Sequence, residues 1–250
     1  MLSVIWKGYT IRVVWITHVG KKGHFSEEVH LDLLAMVQKI VPSKCRVVLL
    51  GDGEFDSSTL RKQYKDQQWE FVLRTSIDRQ VVDCGGETAN LGDLCPAAPC
   101  ELVFVEDACE GDNAVLWHGK GYSNPVQLFT NMELGEMASE YCRRRFKIET
   151  LFKQMKSADF NLQKSKVNGK TRVSHLIFVV SLAFLFTFCI GIVLKLMPTE
   201  SIKTFDRADI YQKLSPITLS IKCLRANENL ASNIFSNLSK NWELFFNDYP

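Results

Sequence analysis

Wherever this 250-residue chain is rich in one sign of charge it is poor in the other. From Asp83 to Glu140 there is a single base, Lys120, against eleven acids; from Tyr141 to Arg172 there are only two acids, Glu149 and Asp159, against ten Lys or Arg. The formal net charge of +2 conceals that division. A stretch so short of acids is not a balanced solvated face. It suits an anionic partner, and nucleic-acid phosphate is the first candidate.

Other absences narrow the class. The opening MLSVIWKGYTIRVVW has no basic start, no sustained apolar run and no small-residue cleavage site, so no secretory leader is expected. The eight cysteines are then expected as free thiols in a reducing cytoplasm. Four of them, Cys84, Cys95, Cys100 and Cys109, lack the paired C-x2-C knuckles of a zinc ribbon and read as small half-buried residues of a β-rich segment. No internal repeat or low-complexity tract is present. The apolar fraction of 46% is ample for a core.

One apolar run stands apart. Between Leu176 and Leu194, inside HLIFVVSLAFLFTFCIGIVLKL (175–196), there is no charge, and the run is long enough to cross a bilayer. Two readings stay open: a helix buried inside the protein, with Ser181, Thr187 and Gly191 suited to close packing, or a membrane span.

The order of elements follows from local pattern. Ser3–Ile5 and Ile11–Thr17 are β-branched and aromatic runs flanking Lys-Gly, which predicts a hairpin around Gly8. Ser26 before Glu27 and Glu28 starts a helix that Pro42 stops after Val41. CRVVLL (45–50) is a continuous apolar strand, as expected where both faces are covered. A helix over 57–65 and a strand over 69–76 follow. Residues 77–123 read as a β-rich insertion, NPVQLFTN (124–131) as one more strand, and 134–160 as one long helix. The expected division is a core over 1–76, the insertion over 77–123, the rest of the core over 124–196 and a helical tail over 197–250.

The chemistry concentrates in two places. On a helix of about 100° per residue, Arg145, Glu149, Phe152 and Lys156 fall within a sector of about 60°. Ile148, Leu151 and Met155 form a neighbouring stripe suited to packing on a sheet. Glu149 can be an ordinary i,i+4 ion pair or a functional carboxylate. In VVLLGDGEFDSS, Asp52 follows an apolar strand and lies between Gly51 and Gly53. The carboxyl end of such a strand is where open α/β sheets place their sites, although aspartate also shapes turns.

The order hairpin, helix, strand ending in Asp, helix, strand, β insertion, helix bearing Glu resembles the RNase H-like α/β fold. The spacing R-x3-E-x6-K at Arg145, Glu149 and Lys156, within RFKIETLFKQMKSADFNL, resembles the signature of bacterial insertion-sequence DDE transposases of the Y-R-E-K type. GKKGHF (20–25) and LLGDGEFDS are similar to that family as well, and the resemblance covers residues 1–196. It implies DNA transposition by phosphoryl transfer, with Asp52 and Glu149 as the second and third acids of a metal-binding triad. The implied cofactor is Mg2+, or Mn2+ in its place. Arg145 and Lys156 would contact phosphates of the transposon ends. Tyr141 stands one position early for the family's tyrosine, so its DNA-contact role carries over only weakly.

A first catalytic aspartate has no counterpart here. Asp32, the only aspartate before Asp52, falls mid-helix and is expected to face solvent. The resemblance therefore implies a mixed sheet whose first strand is missing, and a truncated product inactive alone. Two other functions are compatible with the sequence: a non-catalytic fragment that binds DNA, intact transposase or itself, and a single-span membrane protein. The expected location is the cytoplasm, or the membrane on the last reading.

Overall fold

The structure, a computed structural model, describes residues 1–6, 8–18, 25–82, 85–158, 160–196 and 214–226. The chain forms two compact units, Met1–Lys166 and Val167–Pro250.

The first unit opens with the expected hairpin. β1 (Leu2–Trp6) pairs antiparallel with β2 (Tyr9–Val14), and Gly8 turns it at φ 78°, a left-handed conformation that glycine alone adopts without strain. α1 (Glu27–Gln38) starts after Ser26 with Glu27 and Glu28 in its first turn, and ends three residues before the expected Val41. β3 (Val48–Gly51), α2 (Ser58–Asp66) and β4 (Glu70–Arg74) follow in the expected order. The Ser57 hydroxyl caps α2 by accepting from the Leu60 amide at 3.2 Å.

The insertion divides between two sheets. β5 (Gln80–Val82) and β6 (Thr88–Asn90) form a small sheet of their own, but β7 (Leu102–Cys109) and β8 (Asp112–Trp117) join the main one. With β9 (Val126–Thr130) inserted beside β4, the five-stranded order is β3-β4-β9-β8-β7, parallel only between β3 and β4. β3 is thus an edge strand of this sheet, and the β1–β2 hairpin forms a separate sheet.

Both faces of the main sheet are covered, which explains why its strands read as unbroken apolar runs. On one face Leu49, Phe71, Leu73, Leu116 and Phe129 pack with Leu34 of α1 and with Leu60 and Tyr64 of α2. On the other, Val72, Val115, Trp117 and Leu128 pack with Ala138 and Cys142 of the helix α3 (Gly135–Arg145). Neighbours along one strand, such as Phe71 and Val72, face opposite ways, as the pleat requires.

The expected single helix over 134–160 is corrected. α3 ends at Arg145, a short α4 (Lys147–Lys153) follows across Phe146, and the chain then makes a π-helical turn over Gln154–Ala158. The Phe146 ring stacks toward Tyr122, centroids 6.1 Å apart. Arg143, Arg144 and Arg145 favour a helix end at that point, where their charge meets the negative pole of the dipole. The expected stripe survives: Leu151 and Met155 are buried and Ile148 is half-buried. Asp32 is exposed, as expected.

In the second unit, α5 (Lys170–Leu196) packs against α6 (Pro216–Ala226). Gly191 is needed there, because a Cβ would overlap the Pro216 carbonyl. Burial is confined to the C-terminal half of α5, with Phe188, Ile190, Ile192, Val193 and Leu194. Phe178, Val179, Leu182, Leu185 and Phe186 are exposed, so the buried-helix expectation holds for half of its length. By length and composition α5 could cross a bilayer, a criterion that core helices also meet. Of the expected tail, 214–226 is described; the rest, with 20–24 of GKKGHF and Cys84, lies outside the described residues.

Candidate active site

Asp52 sits where β3 ends, and its two glycines do different things. A Cβ on Gly51 would lie 2.7 Å from a methyl of Leu73 and 2.8 Å from the Phe55 Cβ, so Gly51 is required by packing. A Cβ on Gly53 would meet nothing nearer than the Arg74 carbonyl at 3.8 Å, so the approach to Asp52 on that side is open. Asp52 is exposed and starts a 3-10 turn over Gly53–Phe55: its Oδ1 accepts from the Glu54 amide at 3.3 Å, and its carbonyl accepts from the Phe55 amide at 3.0 Å.

Charges gather around this turn. His30 is buried, directs Nδ1 to the Ser26 carbonyl at 3.2 Å and brings Nε2 to 3.7 Å from the Glu54 carboxylate. Burial, and then the Arg12 charge, hold the Met1 ammonium below its ordinary pKa, while Asp52 and Glu54 pull it up. Burial pushes the Arg12 guanidinium down to about 10.

Just past the turn lies a buried ionic cluster that sequence reasoning missed. The Asp56 carboxylate accepts from the Thr75 hydroxyl at 2.5 Å and from Arg79 at 2.9 Å, and pairs with Arg61 at 3.3 Å. Arg61, only 2% exposed, also reaches Asp112 at 3.2 Å and Glu110 at 2.9 Å; Lys65 pairs with Asp112 at 2.9 Å. The only local signal was DSS, which reads as a helix start. The partners come from β8 and the β7–β8 turn, which no spacing rule connects to α2.

Glu149 lies in the first turn of α4, which packs against β2. Its side chain is 61% exposed and 3.8 Å from Arg145, whose own side chain is mostly buried and lies over the Phe146 ring at 4.8 Å. Lys156 is exposed, with its ammonium 5.6 Å from the Phe152 centroid. Tyr141 is half-buried under the Arg144 guanidinium at 5.0 Å. The structure therefore brings together Arg145 with Glu149, and Phe152 with Lys156, at the i,i+4 spacing read from the sequence. Tyr141 pairs with Arg144 and not with Arg145.

A family model described as a transposase DDE domain matches residues 12–186. The chain belongs to the DDE transposase family. That match takes in Asp52, Arg145, Glu149, Lys156 and much of α5. A search of curated proteins found no match. Membership makes this transposase a DNA-acting protein of a family that uses divalent metal ions. Among the described residues no group of three or more His, Cys, Asp and Glu side chains is arranged to hold a metal.

Proposed function

We propose that Asp52 and Glu149 together hold the divalent metal, Mg2+ or Mn2+, for DNA strand cleavage and transfer, and that Arg145, Lys156 and Tyr141 hold the DNA of the element's ends. The observation that supports this most is the state of the two carboxylates. Asp52 is exposed beside an open glycine, with Oδ1 accepting from a backbone amide; Glu149 is exposed, with its ion-pair partner at 3.8 Å. Both are hard oxygen donors with lone pairs to spare, the donor type that Mg2+ takes. They fit the metal that the family uses.

When bound, the metal would supply a Lewis acid that lowers the pKa of an attacking water or hydroxyl and offsets charge on the leaving oxygen. The chain's residues supply placement. The 3-10 turn fixes the Asp52 carboxylate at the end of β3. Arg145, anchored over Phe146, offers a planar guanidinium for phosphate oxygens. Lys156 presents an exposed ammonium seven residues on from Glu149. The exposed Arg143, Arg144 and Lys147 extend the cationic face along the DNA backbone, so binding weakens steeply with salt. The site of action is the cytoplasm.

The test is strand cleavage of DNA carrying the sequences that flank the protein's own gene, by the chain fused to a segment that supplies a first triad aspartate. Asp52→Asn and Glu149→Gln are expected to lower Mg2+-dependent cleavage by about 10²–10³-fold or more, as loss of a main electrostatic contributor does. Filter binding of the same DNA is expected to be unchanged. Arg145→Ala with Lys156→Ala should weaken binding itself and flatten its salt dependence. Cleavage by the acid variants at the parental rate would refute the assignment.

A further inference from the structure

We infer that the buried chain of ion pairs Asp112–Arg61–Asp56 sets the pose of the turn that carries Asp52, so that the β7–β8 hairpin of the insertion positions a carboxylate it does not touch. The inference rests on the reading of Asp52 above only for its consequence in metal binding.

The cluster is balanced in charge, buried at Asp56, Arg61 and Asp112 and open to solvent at Glu110. Three carboxylates, Asp56, Asp112 and Glu110, meet three cations, Arg61, Lys65 and Arg79. The guanidinium of Arg61 also lies over the Phe129 ring at 4.7 Å, in the centre of the sheet. Burial works against the Arg61 charge, yet Asp56 and Asp112 outweigh it and hold its pKa above the ordinary value. Such an arrangement is poorly explained by stability, because well-packed apolar residues in place of a buried ionic cluster usually cost nothing.

The hairpin is also distorted to reach it. The β7–β8 register shifts between Val105 and Cys109 beside Asp107 at φ 47°, whereas Glu110 and Gly111, at 54° and 76°, have the positive φ that a two-residue type I′ hairpin turn requires. Bulges re-aim side chains, and non-glycine residues at positive φ persist only where the surroundings enforce them. Here the distortion delivers Glu110 and Asp112 to the side of α2 that carries Arg61 and Lys65.

At its other end the cluster grips the turn itself. Asp56 directly follows the turn that Asp52 begins, and Arg79 bonds both its carboxylate and its carbonyl, at 2.9 and 3.0 Å. The Tyr64 hydroxyl donates to the Phe55 carbonyl at 3.3 Å. With Phe55 and Asp56 fixed, the Glu54 amide stays aimed at the Asp52 carboxylate. Asp56, Arg61 and Asp112 are thus positioning residues.

Amide hydrogen exchange followed by NMR tests this without metal or DNA, because the Glu54 amide donates to the Asp52 side chain and the Phe55 amide to its carbonyl. In Asp112→Asn those two amides are expected to exchange at least tenfold faster, while those of Val72 and Leu128 are unchanged. Mn2+ affinity should fall at least threefold in parallel, and Asp112→Glu should restore part of both. If Asp112→Asn does not fold, Glu110→Gln, at the exposed end of the cluster, should give the same pattern at about threefold. Unchanged exchange at Glu54 and Phe55, or an equal rise at Val72 and Leu128, would overturn the inference. Faster exchange with unchanged Mn2+ affinity would uphold the positioning and overturn the metal-site reading of Asp52.

Discussion

Beyond the turn of Asp52, Asp56 is 6% exposed and its carboxylate is bonded to a hydroxyl and two guanidinium groups, and two of those partners, Thr75 and Arg61, are themselves buried. Around Glu149 the helix is short and interrupted on both sides, the side chain is 61% exposed, and its ion-pair partner is 3.8 Å away. Asp52 itself is exposed but starts a turn that ends at this buried residue, whereas Glu149 stands on a short exposed stretch of helix. On the proposed reading, the first metal ligand lies beside a buried part of the fold and the second does not.

The comparison breaks first at Asp56. Asp56→Ala leaves Arg61 and Arg79 short of a buried counter-charge, and unfolding by denaturant is expected to show a loss of about 3–5 kcal/mol. Glu149→Ala removes a loose exposed pair and should cost less than about 0.5 kcal/mol. Equal losses would mean the two sites are held alike. The glycines beside Asp52 sharpen the contrast at a smaller scale. Gly51→Ala forces a Cβ into Leu73 and Phe55 and should cost about 1–3 kcal/mol, whereas Gly53→Ala should stay within about 0.5 kcal/mol.

The smallest expected effect is on pH dependence. Burial raises the pKa of Asp112, against the pull of Lys65 and Arg61. Its proton is therefore held more tightly in the folded state than in the unfolded one. The stability this contributes is fully present below the unfolded carboxylate pKa and lost as pH rises through the folded value. As pH rises above the ordinary carboxylate range the parental protein should lose stability relative to Asp112→Asn. A gain over that rise in pH would show that the cations, not burial, govern Asp112.

What was legible in the sequence depended on how far apart the interacting residues lie. The β1–β2 hairpin, α1, α2 and the strand before Asp52 were all readable, because their signals (Lys-Gly, Ser-Glu-Glu, an apolar run closed by Gly) are local. So was the i,i+4 pairing of Arg145 with Glu149. The break at Phe146 was not, since the ring that meets it belongs to Tyr122 in the insertion, and nothing within 141–156 forbids a straight helix. The entry of β7 and β8 into the main sheet was equally hidden: LVFVEDAC opens on four apolar residues, as many strands do, and does not name its partner. The cluster around Arg61 joins residues from 56 to 112, beyond the reach of any periodicity. For α5 the pattern is apolar all round and gave two readings; burial within its C-terminal half against α6 supports packing there, while Phe178 and Phe186 are exposed.

The central claim is that Asp52 and Glu149 act on one metal site. Titration of Mn2+ into the parental protein, Asp52→Ala, Glu149→Ala and the double variant, read by electron paramagnetic resonance of the free ion, addresses it directly. Two ligands of one site are expected to be strongly non-additive: each single substitution should weaken binding at least about tenfold, and the double should be little worse than either. Additive effects, or a parental affinity that survives both substitutions, would contradict it.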